Sequence, residues 1–346
     1  MKKLRLLLLM LPALAVIPLT QLSAQNKQLI LYTWEDMFPQ DIIDGFKQAT
    51  GIEVIYKTFE FNEDMLTELE ITEGAGYDLV IADDYIIEFV IAEGLARKLD
   101  KSRMNNFSNI NSLFQYQFYD PANEYTVPYG AGIQTIVYDP AKVPLDIQGF
   151  GDLWNSALRG RLGITANYRV INGMALKALG KSYNTEDISE INAAGAKLNA
   201  LIPNIRVFQD LDLDKAMLAG EISAAVMYTG EVTRVRIANS NLKEVYPLEG
   251  IGFGIQAAFV PSRAPNAEGA YAFLNYIMDP RRGARCFEYS GYYCTYSASE
   301  AFISPQYKPH IILPNFNDFE MIENLGREAE NAHTRIWRTF RSALKR

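Results

Sequence analysis

Aromatic and acidic side chains follow three apolar stretches of this chain, each at the point where the stretch ends. The clusters are Trp34, Glu35 and Asp36 after residues 29–33, Asp83, Asp84 and Tyr85 after residues 77–82, and Tyr228 with Glu231 after the stretch that begins at Ala224. The face of an aromatic ring attracts an organic cation, and a carboxylate forms a charge-assisted hydrogen bond with an ammonium group. These clusters therefore predict a binding site for a small amine.

Each cluster also has a purely structural interpretation, which the sequence leaves open. Trp34 would then pack in a loop beside two solvated acids. Asp83 and Asp84 are residue types that cap the start of a helix. Glu231 would lie in the first turn of a helix, where an acid interacts favourably with the helix dipole.

The elements that position the clusters alternate between strand and helix. A strand over 29–33, a helix that opens at residue 38 and stops at Gly51, and a strand over 52–58 form a βαβ unit, which implies a parallel sheet. Ligands of open α/β sheets bind beyond the carboxyl ends of the strands, where the three clusters lie. Further along the chain, we expect a helix over 173–180 and a long final helix over 318–344.

The first 24 residues are predicted to be a secretory signal peptide rather than part of the fold. Three basic residues precede an apolar run over 6–19, and a small residue, Ala24, marks the cleavage point. Removing them changes the formal charge from 33 − 41 = −8 to 30 − 41 = −11, which argues against nucleic acid as a partner. The remaining 346 − 24 = 322 residues predict two lobes rather than a single core.

The rare residue types indicate neither a metal site nor catalysis. Cys286 and Cys294 are the only cysteines, and so close a pair in an oxidising compartment favours a disulfide, the alternative being two buried thiols. With His310 and His333 they do not make a convincing zinc site. The chain has no nucleophile elbow and no phosphate-binding glycine loop, so we expect a binding protein without a cofactor and not an enzyme.

Several short motifs, taken together, resemble one known family. They are YTWED at 32–36, TGIEVIY at 50–56, YDLV at 77–80, LDKS at 99–102, NFSN at 106–109, YTVPY at 125–129 and DLW at 152–154. In these motifs, and over almost the whole mature chain, the sequence resembles the periplasmic spermidine/putrescine-binding proteins of polyamine uptake transporters.

The resemblance implies an α/β fold of the two-lobed periplasmic-binding-protein (venus flytrap) type, in which each lobe is a mixed, mostly parallel sheet flanked by helices. One lobe would comprise residues 27–137 and 253–300, and the other residues 138–252 and 301–346. A polyamine, putrescine or spermidine, would bind in the cleft, and hinge closure would present it to a membrane ABC permease. We expect a periplasmic protein that acts as a monomer.

The resemblance also implies roles for individual residues. Asp36 matches an acid that binds a ligand amine, Glu231 falls where some members have such an acid, and Asp83 falls where the family often has serine. The aromatic residues that match the walls of the cleft, or keep an aromatic there, are Trp34, Tyr85, Tyr228 and Tyr292.

The chain departs from the family pattern where ligand-binding acids are usual. Asn167 and Val170 replace acids of the second lobe, and Gly254 and Gln256 replace a tryptophan and an aspartate. Asn167 and Gln256 can still accept hydrogen bonds from an ammonium group, with less energy than a carboxylate would give. The acids that would compensate are Glu35, Asp83 and Glu231.

Three alternatives keep the fold and change the function. The first is that the cleft binds another small cation or a neutral polar solute. The second is that Tyr292 and Tyr293, with carboxylates, hold a ferric ion. The third is that the protein feeds a sensor or another partner rather than a permease.

Overall fold

The computed structural model describes residues 27–59, 61–209, 212–313 and 319–345. The predicted signal peptide, residues 1–24, lies outside them. Within these ranges no helix is both long and apolar enough to cross a membrane.

Eleven strands form one mixed sheet in the described part of the chain, and its main path runs β2-β1-β3-β9-β4-β7-β5-β6. The strands are β1 (Gln28–Thr33), β2 (Glu53–Thr58), β3 (Leu79–Asp83), β4 (Thr126–Tyr138), β5 (Leu162–Ile164), β6 (Ile205–Phe208), β7 (Ala224–Tyr228), β8 (Lys243–Val245), β9 (Ile251–Phe259), β10 (Tyr293–Cys294) and β11 (Phe319–Met321). Strands pair in parallel at both ends of this path, whereas β3, β9, β4 and β7 pair antiparallel at its centre.

The helices connect these strands and cover the faces of the sheet. They are α1 (Gln40–Thr50), α2 (Asn62–Thr72), α3 (Asp84–Ala92), α4 (Tyr168–Lys177), α5 (Ile188–Leu201), α6 (Leu213–Leu218), α7 (Thr229–Ala238), α8 (Ala267–Ile277), α9 (Pro280–Ser290), α10 (Lys308–Ile311) and α11 (Arg327–Leu344). The predicted βαβ unit is confirmed as β1-α1-β2, with Gly51 in the left-handed conformation at the end of the helix.

Two helix boundaries differ from the prediction. α4 starts at Tyr168 instead of residue 173, because the side chain of Asn167 accepts the first free backbone N–H groups and caps the helix there. The final helix starts at Arg327 instead of 318, and the chain before it forms β11, which pairs with β9. Residue 318 itself lies outside the described residues.

Strand β4 joins the two ends of the sheet. Its first part, Thr126–Ile133, pairs with β9, and its last part, Gln134–Tyr138, pairs with β7. Between these regions a single side chain forms hydrogen bonds with both backbone groups of Ile133. The hydroxyl of Thr229 accepts from the N–H of Ile133 (2.9 Å) and donates to its carbonyl (3.0 Å). This contact fixes the start of α7 against β4.

The predicted disulfide is wrong, because both cysteines are free and buried in the structure. The Cys286 side chain packs in the core beneath α9, and the Cys294 thiol donates to the carbonyl of Tyr296 at 3.3 Å. Burial raises the pKa of each thiol to about 12, so the reactive thiolate form is disfavoured.

A buried histidine in α11 makes the fold sensitive to acid. The Nδ1 atom of His333 lies 3.0 Å from the amide nitrogen of Asn172, and its Nε2 atom has no partner among the described residues. Burial, and then the charge of Arg169, lower the pKa of His333 to about 4. The folded protein therefore holds this imidazole neutral at pH values where the unfolded chain binds a proton.

We expect folding stability to be lost as the pH falls from about 6.5, the usual pKa of histidine, toward the folded-state value of about 4. The lost free energy of unfolding reaches about 3 kcal/mol, since each pKa unit is worth about 1.4 kcal/mol. Urea unfolding of the wild type and His333→Gln between pH 7 and pH 4 tests this, with His310→Gln as a control for a partly buried histidine. An equal pH dependence in wild type and His333→Gln would contradict the expectation.

Candidate functional site

The first predicted cluster lies where β1 ends. The ring of Trp34 is half-buried against Phe59, with ring centroids 4.9 Å apart, while Glu35 and Asp36 are exposed. Asp36 has φ 56°, the left-handed conformation that a non-glycine residue seldom adopts. Such strain at a predicted ligand-binding acid is typical of functional loops.

The second cluster is adjacent to the first because β1 and β3 pair in parallel, with Tyr32 opposite Val80. Asp83 ends β3, and its carboxylate accepts a hydrogen bond from the amide of Asn62 at 2.9 Å. Asp84 has a structural function instead. It is buried, and its carboxylate accepts from the backbone N–H groups of Ile255 and Tyr85, each at 2.8 Å.

Tyr85 presents a neutral ring at this edge of the sheet. Its hydroxyl accepts from Asn62 and donates to the carboxylate of Glu63, each at 3.1 Å. Burial first, and then the charges of Glu63 and Asp83, hold the pKa of Tyr85 well above its usual range. The hydroxyl therefore stays protonated, and the ring keeps the electron-rich face that attracts a cation.

One face of strands β4 and β9 carries glycines beside polar side chains. Gln256 lies opposite Asp83 on one side and Gly130 on the other, and Gly132 lies opposite Gly254. Because side chains alternate along a strand, residues 130, 132, 134, 254 and 256 share one face, which we call the floor.

The glycines of the floor make room for Tyr292. A Cβ atom at Gly132 would lie 2.8 Å from the ring of Tyr292, and one at Gly130 would lie 3.2 Å from Oε1 of Gln256. The ring of Tyr292 thus rests directly on the backbone of β4. Tyr228, at the end of β7, lies opposite Gln134 and extends the same row.

Two amide oxygens of the floor lack the hydrogen bonds that buried polar atoms normally make. Oε1 of Gln134 and Oε1 of Gln256 are buried and have no donor within the described residues, and Gln134 is only 8 % exposed. An unsatisfied buried acceptor costs about 1–3 kcal/mol. Both oxygens can accept hydrogen bonds from the donors of a ligand.

Two predicted site residues, Glu231 and Asn167, also make hydrogen bonds that hold helices in place. Glu231 is 2 % exposed, and its carboxylate accepts the backbone N–H of Leu213 at 2.8 Å, at the start of α6. Burial, and then the charge of Asp214, raise the pKa of Glu231 to about 7. The side-chain oxygen of Asn167 accepts hydrogen bonds from the backbone N–H groups of Arg169 and Val170. The other carboxylate oxygen of Glu231, Oε2, is buried and has no hydrogen-bond partner among the described residues.

The structure adds residues that the sequence analysis did not select. The tyrosine hydroxyl at position 168 donates to the carboxylate of Glu330 at 2.8 Å. Burial first, and then the charge of Glu330, raise the pKa of Tyr168, and the charge of Glu63 adds to the shift. Contacts between positions so distant in sequence leave no local signal. Gln134 did leave one, as a long polar side chain inside the mostly apolar stretch 133–138.

The pair Tyr292 and Tyr293 does not present two ligands to one metal ion. Tyr293 is 1 % exposed and packs in the hydrophobic core, whereas Tyr292 stands on the floor. Among the described residues, no group of three or more histidine, cysteine or acidic side chains is placed to hold a metal.

A groove of about 290 Å³ between α7 and α9 lies beside the floor, but its two arginines already form ion pairs. Arg234 contacts Asp214 at 2.5 Å, and Arg285 contacts Asp41 at 3.0 Å. We therefore propose as the candidate site the row of side chains that crosses β1, β3, β9, β4 and β7, which we call the cleft row. Its members are Trp34, Asp83, Tyr85, Gln134, Tyr228, Gln256 and Tyr292.

Comparison with known proteins decides the family. The profile of the bacterial extracellular solute-binding proteins matches residues 41–315. The chain belongs to this family. A spermidine/putrescine-binding periplasmic protein of Escherichia coli (strain K12) is 33 % identical over 300 residues, covering 86 % of each protein.

Solved structures confirm the periplasmic-binding-protein fold of this solute-binding protein. A structure from Listeria monocytogenes matches with a TM-score of 0.84 and 26 % identity, covering 91 % of this chain and 99 % of that one. The spermidine/putrescine ABC transporter substrate-binding protein of Streptococcus pneumoniae matches with a TM-score of 0.80 and 26 % identity, covering 92 % and 99 %. The predicted resemblance is thereby confirmed, and the family is one of solute-binding transport proteins rather than a class of enzymes.

We expect Gly132→Ala to lose about 1–3 kcal/mol of stability, the usual cost of overpacking, and to displace the ring of Tyr292. Gly254→Ala is the matched control, because it lies opposite Gly132 and its new Cβ would meet only Asp84 Oδ2 at 3.9 Å, an ordinary contact. Thermal unfolding of both variants measures the difference. Equal stabilities would show that Tyr292 does not rest on the floor.

Proposed function

We propose that this solute-binding protein captures a polyamine, putrescine or spermidine, on the cleft row and delivers it to an ABC permease. The observation that carries the proposal is the pair of buried amide oxygens on Gln134 and Gln256 that accept no hydrogen bond within the described chain. An ammonium group brings three N–H donors and no acceptor, so it satisfies these oxygens where a carboxylate ligand would not.

The surroundings of the two oxygens favour a cation with an alkyl chain. Four aromatic residues, Trp34, Tyr85, Tyr228 and Tyr292, line the row, and aromatic faces attract cations while they cover methylene groups. Asp83 lies next to Gln256 in the sheet, and Asp36 follows Trp34. The names of the relatives agree, since the Escherichia coli protein is a spermidine/putrescine-binding protein.

The strand pairing supports closure of two lobes over the ligand. We propose that one lobe comprises residues 27–137 and 253–300 and the other residues 138–252 and 301–346, so that β4 and β9 connect them. Bending at these connections would bring the end of β7 toward the ends of β1 and β3. We also propose that residues 1–24 direct secretion, that the protein is a monomer without nucleic-acid partners, and that it binds its solute without chemical change.

A thermal-shift screen tests the proposed ligand class. The panel contains putrescine, spermidine, other small cations, amino acids, sugars and ferric citrate. A ligand at about a hundred times its dissociation constant adds about 2.7 kcal/mol of stability, which raises the melting temperature by a few degrees. The proposal expects this shift with a polyamine and is refuted if no amine in the panel produces one.

We expect Gln256→Leu to separate ligand binding from folding. Its amide oxygen accepts no hydrogen bond from the described residues, so leucine should leave stability unchanged or raise it. Amine affinity should fall by about 1.5–3 kcal/mol, the value of a hydrogen bond to a charged group. Calorimetric titration and unfolding measure both, with the exposed Gln148→Leu as control. Unchanged affinity would place Gln256 outside the site.

A further inference from the structure

Helices α2 and α3 expose large apolar side chains to solvent beside the cleft row. Phe61, which immediately precedes α2, is 56 % exposed, Ile71 in the last turn of α2 is 73 % exposed, and Phe89 of α3 is 44 % exposed. Single exposed apolar residues are normal, but three on two neighbouring helices form a patch of the kind that binds another protein. We call the outer surface of residues 61–73 and 84–93 the α2–α3 face.

The two helices lie side by side and are joined at both ends. At their starts, the hydroxyl of Tyr85 donates to Glu63 Oε1 at 3.1 Å. At their far ends, the carboxyl groups of Glu70 and Glu93 are hydrogen-bonded to each other. Tyr85, Phe89 and Glu93 follow one another at intervals of four residues, so they share one row of α3. Phe89 therefore lies in the groove between α2 and α3, with the Glu70–Glu93 pair at one end.

The α2–α3 face is acidic and carries no cation of its own. The sequence from 58 to 96 contains no lysine, arginine or histidine. Of the nearest cations, Arg263 pairs with Glu73 just after α2, and Arg97 donates to the carbonyl of Ser262 at 2.9 Å. The exposed acids that form no ion pair within the described part of the chain are Glu63, Asp64, Glu70, Glu88 and Glu93. Such a surface is complementary to a cationic partner.

The same face contacts the ligand site and a distant part of the chain. The amide of Asn62, at the start of α2, donates to Asp83 of the cleft row at 2.9 Å. Asn324 donates to Glu88 Oε2 at 2.6 Å and to the carbonyl of Tyr85 at 2.7 Å. In the proposed division Asn324 belongs to the second lobe. A partner on the α2–α3 face therefore touches elements that ligand binding and lobe closure would move.

We propose that the α2–α3 face is the surface by which the ligand-loaded protein docks on its ABC permease, and that it binds an arginine- or lysine-bearing, partly apolar segment there. This inference rests on the proposed function and adds the place of contact. A guanidinium of the permease would lie on the ring of Phe89 and bind the carboxylates of Glu70 and Glu93. Phe61 and Ile71 would pack around it, as apolar contacts do around a binding hot spot. An anionic lipid surface does not fit, because it would place like charges together.

ATP hydrolysis by the cognate permease in lipid nanodiscs tests the docking surface. The mature protein, saturated with spermidine, is titrated as wild type, Phe89→Ser and Glu70→Lys, and the concentration for half-maximal stimulation is measured. We expect this concentration to rise at least tenfold in both variants, while calorimetry shows unchanged spermidine affinity. Phe302→Ser is the matched control, because Phe302 is 42 % exposed but lies under Arg281 of α9. Its half-maximal concentration should stay within twofold of the wild type.

Glu70→Lys separates docking from folding, because it replaces two like charges by an ion pair with Glu93. The variant should be as stable as the wild type or more stable, and its docking should respond less to added salt. Unchanged stimulation by both variants, an equal loss in Phe302→Ser, or equal binding of the wild type to nanodiscs without permease would overturn the inference. Failure of the wild type to bind any amine, or to stimulate the permease when loaded, would instead refute the proposed function.

Discussion

The structure of the cleft depends on one hydroxyl group, which forms hydrogen bonds with two backbone groups that the sheet leaves without partners. Strand β4 changes partners near Ile133, and the N–H and C=O of that residue would otherwise be buried without hydrogen bonds. Thr229 supplies both, at 2.9 and 3.0 Å, from the first residue of α7. Two unsatisfied backbone groups would cost about 1–3 kcal/mol each, which is a large part of the stability of a typical domain. The position of α7 against β4 is therefore strongly determined.

That contact gives the floor its shape. With α7 held at Ile133, Gly230 lies against the end of α9, where a Cβ would come within 2.6 Å of the Ser290 carbonyl. Tyr292 then follows directly and rests on Gly132. The floor is thus made of backbone and two amides, with acids at one side. Polar atoms left without partners in a well-packed sheet are costly to folding, so they are explained best by what they bind.

Local patterns of the sequence predicted most of the fold and part of the site. Apolar runs ending in polar residues located β1, β3 and β7, and glycine at position 51 located the end of α1, because these signals act over a few residues. The start of α4 was missed because its cap, Asn167, was interpreted as a ligand. Glu231 was predicted to bind the ligand, with the first turn of a helix as the alternative. It lies in the first turn of α7, and its contact with Leu213 depends on how α6 packs. Residues 168 and 330 meet only through tertiary structure, which no spacing reveals.

The central claim is that the cleft row supplies acceptors that need an ammonium donor. The most direct test is a calorimetric comparison of putrescine and spermidine with 1,4-butanediol, which keeps the alkyl chain of putrescine and removes the charge. We expect saturable binding of an amine with one site per chain, and no detectable binding of the diol at the same concentration. Equal binding of the diol, or no heat with any amine, would contradict it.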